Sequence, residues 1–163
     1  MQTVDVVIET PKGSKYKYKF DAETNRFKVN KLLPSGLAFP YDFGFIPDTK
    51  GDDGDPLDVI IFSEDSFLPG SVVECEILGA IKAKQTSDDE TIRNDRIIVM
   101  PKLAAEKDKE VVLEDFSKHK IRELEDFFAY YNKTEGKEFK SLGILGAKET
   151  WKMINEQYMH HEM

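Results

Sequence analysis

The chain has 163 residues and a mass of 18.7 kDa, which is about one domain's worth of sequence, and we expect a single domain over residues 1–163. Its 31 acidic and 23 basic residues give a formal net charge of −8, whereas proteins that bind nucleic acid or anionic membranes are normally basic. Hydrophobic residues make up 40% of the chain, enough for a packed core, which argues against a disordered protein. The acidic charge argues against nucleic-acid and membrane partners.

The first third of the sequence is typical of short β-strands. Residues 4–10 and 16–20 alternate apolar and polar side chains around a Pro-Lys-Gly-Ser turn, which predicts an antiparallel hairpin. A short strand is expected at 27–29. Closely spaced Gly and Pro residues between 34 and 56 predict a loop with short extended pieces.

The middle of the chain adds longer apolar runs. Residues 57–62 and 96–101 have the length and composition of buried strands, and residues 71–84 predict one long strand with a bend at Gly79. Five to seven short strands at this spacing favour a small closed barrel, which leaves few exposed strand edges.

Helices are predicted only in the last third. Between about 117 and 132, apolar residues recur at intervals of three and four, which predicts an amphipathic helix through Ile121, Leu124, Phe127, Phe128 and Tyr131. A second, weaker helix is expected from about Lys148 to Tyr158.

The remaining composition narrows the chemistry. No segment approaches the ~20 consecutive apolar residues of a membrane helix, and acidic residues interrupt the start of the chain, so we expect a cytoplasmic protein. The single cysteine, Cys75, is predicted to be a packed strand residue. His119 and two residues of the tail, His160 and His161, offer little for a zinc site or a histidine relay. Any catalysis must therefore use carboxylates, Lys, Arg or Tyr.

The most informative segment is the acidic loop, defined here as residues 52–58 with the sequence DDGDPLD. Four carboxylates this close repel one another, which a bound cation would relieve. Asp53 and Asp55 share a face in extended backbone, and the intervening Gly and Pro can return Asp58 to the same ion. All-oxygen ligands indicate Mg²⁺ or, as a substitute, Mn²⁺. A solvated acidic turn is the alternative, whereas a calcium loop fails because the required carboxylates are missing.

This loop closely resembles the signature of the soluble, single-domain inorganic pyrophosphatases. The resemblance extends over nearly the whole chain, through VVIETPKGS at 6–14, LPGSVV at 68–73 and FFAYYNKTEGK at 127–137. It implies a mainly β fold with α, built as a small closed five-stranded, OB-like barrel with two helices in the C-terminal half. It also implies Mg²⁺-dependent hydrolysis of inorganic pyrophosphate to two phosphates, with a water between two metals as nucleophile, and assembly as a homo-oligomer.

The resemblance also implies roles for individual residues. Asp55 matches the general base, and the metals would be held by Asp53, Asp58, Glu9, Asp89 and Asn94. The family loop has an Asp, a second Asp five residues after the first, and a Lys two residues after the second. Asp89, Asn94 and Arg96 match these three positions. Phosphate would be bound by Lys17, Lys31, Arg96 and Tyr131.

Several positions depart from the family pattern. Asn94 and Arg96 replace the second loop Asp and the Lys, and the loop before Asp89 is about four residues longer. The other departures are Lys19 for Glu, Lys31 for Arg, Phe43 for Tyr and Asn132 for Lys. These changes keep two alternatives open. One is a hydrolase of the same fold that prefers tripolyphosphate, short polyphosphate or nucleoside triphosphates, and the other is a catalytically silent phosphate- or metal-binding protein.

Overall fold

The structure, a computed structural model, describes residues 2–105 and 118–158. Its strands are β1 (Thr3–Thr10), β2 (Tyr16–Asp21), β3 (Arg26–Leu32), β4 (Asp42–Ile46), β5 (Leu57–Ile61), β6 (Val72–Ser87), β7 (Glu90–Arg93), β8 (Arg96–Pro101) and β9 (Glu138–Gly146). The helices are α1 (Lys102–Ala105), α2 (Lys118–Thr134) and α3 (Ala147–Met153), which continues into a π-helical turn over Ile154–Tyr158. The predicted helix start at residue 117, and His160 and His161, lie outside the described residues.

Five strands form a ring of backbone pairings. β1 pairs with β4, β4 with β5, β5 with β8, β8 with β6, and β6 again with β1. Only the β5–β8 contact is parallel. In a ring each strand has a partner on both of its edges, which is how a small barrel avoids exposed backbone groups. The prediction of a mainly β fold built on a five-stranded barrel is therefore confirmed.

The core has two parts because β5 and β8 bury both faces. Val59 and Ile97 belong to a cluster that draws on all five strands of the ring. Ile60 and Ile98 face the other way and pack with Leu124 and other apolar residues of α2. Strands buried on both sides are continuous apolar runs in sequence, as observed here. Cys75 is fully buried, as predicted, and burial raises its thiol pKa to about 12.

The predicted hairpin between residues 4–10 and 16–20 is wrong. β1 uses both of its edges in the ring, to β4 and β6, so it has no free edge for β2. β2 instead pairs with β3 in a separate two-stranded hairpin, with Lys17 opposite Lys31. This β2–β3 hairpin contributes four lysines to the cavity described below.

Three strands were not predicted, and one predicted bend is confirmed. β4 lies within the segment expected to be mainly loop, β7 pairs back onto the end of β6, and β9 runs along β6 after α2. β4 packs so closely on β1 that a Cβ at Gly44 would overlap the carbonyl oxygen of Val7. The glycine that suggested a loop is thus required for strand packing. In β6 the register against β8 shifts between Ile77 and Gly79, where the bend was expected.

Within the described residues, no helix combines the length and apolar character that crossing a bilayer requires.

Candidate active site

Most of the residues implicated by the sequence surround one cavity of about 960 Å³, which we call the site cavity. It is bounded by β1, the β2–β3 hairpin, the acidic loop, the starts of β5 and β8, and the end of α2. Its lining includes Glu9, Lys17, Lys31, Asp53, Asp55, Asp58, Asn94, Arg96 and Tyr131. A larger depression of about 1310 Å³, lined by residues such as Lys12, Phe62 and Leu103, contains none of them. The site cavity is therefore the better candidate for chemistry.

The acidic loop is shaped by its own hydrogen bonds. The backbone amide of Asp55 donates to Asp53 Oδ1 at 3.0 Å, and Gly51 N donates to the carbonyl oxygen of Asp55 at 2.8 Å. Gly54 has a φ of +85°, a conformation that glycine adopts without strain. The Thr49 hydroxyl joins the end of β4 to the start of β5. It donates to the carbonyl oxygen of Ile46 and accepts from the amide of Leu57, the residue paired with Ile46. The loop therefore presents its carboxylates from a fixed turn.

Basic side chains of the protein lie against two of these carboxylates. Arg96 Nη1 is 3.7 Å from Asp58 Oδ2, because the parallel β5 and β8 place the two residues side by side. Lys19 Nζ, from the β2–β3 hairpin, is 3.5 Å from Asp55 Oδ2. Burial, reinforced by the neighbouring carboxylates of Asp58 and Asp55, raises the pKa of Asp53.

The carboxylates approach one another without forming a tight cluster. Across residues 2–105 and 118–158, no group of three or more His, Cys, Asp or Glu side chains is arranged closely enough to hold a metal ion as it stands. The donors facing the cavity are nevertheless the oxygen ligands that hard divalent cations prefer. The raised pKa of Asp53 is the electrostatic stress that such a cation would relieve.

Glu9, near the end of β1, also lines the cavity. Its Oε2 accepts a hydrogen bond of 2.8 Å from the backbone amide of Phe20, which connects β1 to the β2–β3 hairpin. Burial, with a smaller contribution from the Asp58 carboxylate, raises the pKa of Glu9 to about 7, although the hydrogen bond opposes the shift. The sequence prediction placed Glu9 near the metals, and the structure brings it to the same cavity as Asp58.

Part of the cavity lining is basic, and we call it the anion-binding wall for the kind of ligand that its charge favours. Lys17 and Lys31 face each other across the β2–β3 hairpin, and their ammonium groups lie 5.6 and 5.5 Å from the centre of the Tyr131 ring. Burial, and to a smaller extent the charge of Lys31, lowers the pKa of Lys17. Two partly desolvated ammonium groups beside a phenol can bind phosphate oxygens.

Asp89 is the predicted site residue that does not line the cavity. It lies at the tip of the β6–β7 hairpin, where Asp88 and Asp89 have φ of 50° and 65° and Ser87 pairs with Glu90. Gln85, four residues earlier in the chain, lies on β6 and does line the cavity, and at the rise of a strand the tip is roughly 7–10 Å beyond it, because Ser87 and Glu90 flank a two-residue turn. The extra residues of this loop therefore extend the hairpin away from the cavity.

Gln85 was missed by sequence reasoning. Its Oε1 accepts a hydrogen bond of 3.1 Å from Asn94 Nδ2 and lies 3.4 Å from Arg96 Nη2. Gln85 precedes Asn94 by nine residues, which is the family spacing of five plus the four extra residues. If the four extra residues are placed between the two family positions, in the β6–β7 hairpin, the first position falls on Gln85. Spacing could therefore have identified Gln85. Asp95 is buried against Ala83 N and Arg93 and does not line the cavity.

Glu135 was also missed: it lies inside the FFAYYNKTEGK segment that resembles the family, but the sequence analysis gives it no role there. It follows α2 in a turn in which its amide donates to Asn132 O and Gly136 has a φ of +75°. Its Oε1 lies 2.6 Å from Lys31 Nζ, and its Oε2 lies 3.8 Å from Lys137 Nζ. A carboxylate thus lies inside the anion-binding wall.

Comparisons of the sequence with known proteins agree on one family. The model of the inorganic pyrophosphatase family matches residues 6–162. An inorganic pyrophosphatase of Synechocystis sp. is 34% identical over 140 residues, which is 86% of this chain and 80% of the relative. An inorganic pyrophosphatase of Methanosarcina acetivorans is 32% identical over 155 residues, covering 95% of this chain and 90% of the relative.

Solved structures give the same result. The inorganic pyrophosphatase of Helicobacter pylori superposes with a TM-score of 0.85 at 29% identity, covering 95% of this chain and 91% of that protein. The enzyme of Thermus thermophilus superposes with a TM-score of 0.84 at 29% identity, covering 94% of this chain and 88% of that protein.

Proposed function

The chain belongs to the inorganic pyrophosphatase family, and from that premise we propose that it hydrolyses inorganic pyrophosphate to two phosphates with Mg²⁺ as its cofactor. Membership of the family implies a small phosphoanhydride substrate and a divalent metal, and the choice of Mg²⁺ rests on the all-oxygen donors of the acidic loop. Mn²⁺ would be its substitute. The observation that carries the proposal is that Asp53, Asp55 and Asp58 line the same cavity as Lys17 and Lys31.

Asp53 and Asp58 would hold the metal, with Glu9 and Asn94 as supporting oxygen donors. A bound divalent ion would lower the pKa of a water molecule and neutralise charge on the transferred phosphoryl group. Asp55 Oδ2 lies 3.5 Å from Lys19 Nζ, and Asp55 would accept the proton of that water once the lysine moves.

The chain's cations would bind the phosphate groups. Lys17, Lys31 and Arg96 supply three positive charges around the cavity, and the phenol of Tyr131 supplies a hydrogen-bond donor. Arg96 is almost completely buried, with its guanidinium 4.7 Å from the ring centre of Phe128, so its position is fixed before any ligand binds.

We assign to Gln85 the place that the sequence analysis gave to Asp89. The support is its position on the cavity wall, its hydrogen bond to Asn94, and the nine-residue interval between them. Two neutral amides therefore stand where the family loop has two carboxylates. This change supports the second candidate function, a broader hydrolase that accepts longer phosphate chains, because fewer negative charges would repel them.

A colorimetric assay of phosphate release from pyrophosphate, with Mg²⁺ and with a chelator, tests the proposed function. Release that requires Mg²⁺ supports it. Release from tripolyphosphate but not from pyrophosphate would favour the broader hydrolase. No release from either would favour a silent binding protein. Homo-oligomeric assembly and a cytoplasmic location stay predictions.

A further inference from the structure

The anion-binding wall already contains an anion that belongs to the protein. Lys17 and Lys31 stand directly opposite each other in the β2–β3 pairing, and like charges in such cross-strand pairs destabilise a hairpin. The Glu135 carboxylate lies 2.6 Å from Lys31 Nζ, with the side chains of Glu135 and Lys31 only 20% and 33% exposed. Glu135 therefore balances the lysine charge in the free protein.

The electrostatics around Glu135 agree with this geometry. Burial alone would raise the pKa of Glu135, but its contacts with Lys31 and Tyr131 outweigh burial and hold the pKa below its ordinary value. Burial, followed by the nearby Glu135 carboxylate, raises the pKa of the Tyr131 hydroxyl. Glu135 is thus an anion at neutral pH, and Tyr131 remains a neutral donor beside it.

An incoming phosphate would meet Lys31 already engaged. The ammonium has a short contact with Glu135, so a phosphate oxygen must either displace that carboxylate or sit next to it and be repelled. Backbone hydrogen bonds to the carbonyl oxygens of Asn132 and Lys133 fix the turn that carries Glu135. The carboxylate can therefore leave Lys31 only by a rotation of the Glu135 side chain, because the backbone is held. Either route weakens phosphate binding relative to a wall without Glu135.

We propose that Glu135 is an internal competitor for the phosphate subsite formed by Lys17, Lys31 and Tyr131, and that it limits how tightly this wall retains phosphate. The inference rests on the proposed function, because it assumes that the wall receives a phosphate group. Its consequence for the reaction is weaker retention of product. Glu135 acts through Lys31 and is a positioning residue.

The test is equilibrium binding of inorganic phosphate to the full chain without divalent metals. Binding is measured by calorimetry or by the rise in melting temperature. Glu135→Gln keeps the shape of the side chain and should tighten phosphate binding about fivefold, which corresponds to roughly 1 kcal/mol. The matched control is Glu23→Gln, which removes the same charge from the lining of the same cavity without touching Lys31. The control should leave phosphate affinity within about twofold of the wild type.

Each outcome decides the question. Unchanged or weaker phosphate binding by Glu135→Gln overturns the proposal, and weaker binding would mean that Glu135 orients Lys31 for the ligand. Equal tightening by Glu23→Gln overturns it too, since total charge would then be the cause. If Glu135→Gln fails to fold, Glu135→Asp, whose shorter side chain retreats from Lys31, must show the tightening. Because no hydrolysis is measured, a failure here is distinguishable from an inactive enzyme, which the phosphate-release assay reports separately.

Discussion

Lys19 of β2 and Asp55 of the acidic loop form an ion pair across the site cavity, with Lys19 Nζ 3.5 Å from Asp55 Oδ2. The two side chains are 50% and 56% exposed, so the pair contributes little to stability, at most about 1 kcal/mol by the usual range for exposed ion pairs. The pair matters for its position, because the Lys19 ammonium group lies beside a carboxylate of the proposed metal site, where it would compete with a metal cation.

Lys19→Ala should therefore raise the affinity for Mg²⁺. Removing the ammonium removes a positive charge that competes with the metal for Asp55 and its neighbours. Mg²⁺ titrations followed by melting temperature should reach half of their full rise at a lower Mg²⁺ concentration than in the wild type. Lys28→Ala is the control, since Lys28 also lines the cavity but pairs with Asp21 at 2.8 Å. An identical titration for Lys19→Ala and wild type would show that Lys19 and the metal do not compete.

Asp55→Asn should abolish hydrolysis and leave the fold intact. An amide cannot accept the proton of the attacking water, and the exposed position of Asp55 means that its loss creates no cavity. The kcat for pyrophosphate should fall by well over tenfold, while the melting temperature changes little. Asp52→Asn is the control, because this neighbouring carboxylate does not line the site cavity. If Asp55→Asn kept more than about a tenth of the wild-type rate, less than about 1.4 kcal/mol of barrier would have been lost, too little for a general base.

Mg²⁺ should both activate and stabilise the protein, whereas Ca²⁺ should bind with little turnover. Burial and, to a smaller extent, the carboxylates of Asp58 and Asp55 raise the pKa of Asp53, and either cation would stabilise its charged form, so both should raise the melting temperature. Ca²⁺ is larger and tolerates irregular coordination, so it would misplace the water that Mg²⁺ positions. Thermal shifts and initial rates with each metal test both statements. Equal rates with the two metals would contradict the proposed role of the metal.

The sequence predicted elements with strong periodicity and residues in a tight motif. The helix stripe through Leu124 needed only local spacing and is present as expected. Asp53, Asp55 and Asp58 line one cavity, although among the described residues they do not form a tight cluster. The sequence could not show that β1 pairs along both of its edges, with β4 and β6, because strand partners depend on the whole topology. Gly44 was misleading for the same reason: its value lies in contact with Val7, 37 residues away along the chain.

The site was predictable where residues act through motif spacing and unpredictable where they meet only in space. Asp89 keeps the family's five-residue interval to Asn94, yet the hairpin turn takes Asp89 out of the cavity, and Gln85 lines it instead. Glu135 lies in the FFAYYNKTEGK segment, but its spacing there does not indicate a role. Its role depends on its distance from Lys31, a strand residue far away in sequence.

The chain should form a homo-oligomer. Trp151, Ile77 and Ala147 line a groove of about 670 Å³ beside α3, and Ile144 of β9 is 50% exposed, so apolar surface remains to be covered. Light scattering at micromolar concentration should give a mass that is a multiple of 18.7 kDa. Trp151→Ala should lower that mass if this groove is part of the interface. A monomer mass for the wild type would contradict the prediction.

Tripolyphosphate or a nucleoside triphosphate should be hydrolysed with Mg²⁺ at a measurable fraction of the pyrophosphate rate. Specificity comes from contacts to the part of the substrate that differs between candidates, and the departures from the family pattern surround the cavity. Lys19 adds a positive charge there, and Gln85 and Asn94 are neutral amides in hydrogen-bond contact with each other. A wall with fewer carboxylates repels a longer, more negative chain less strongly.

The decisive measurement is kcat/KM for pyrophosphate and tripolyphosphate side by side, in the wild type and in Gln85→Glu. Restoring a carboxylate at this position should lower the tripolyphosphate-to-pyrophosphate ratio, because the added charge lies beside Asn94 and Arg96 at the cavity wall. Thr86→Glu is the control, since it adds the same charge one residue along β6 at a position that does not line the cavity. Strict use of pyrophosphate by the wild type, or an equal fall of the ratio in both variants, would show that the two amides do not set the substrate range.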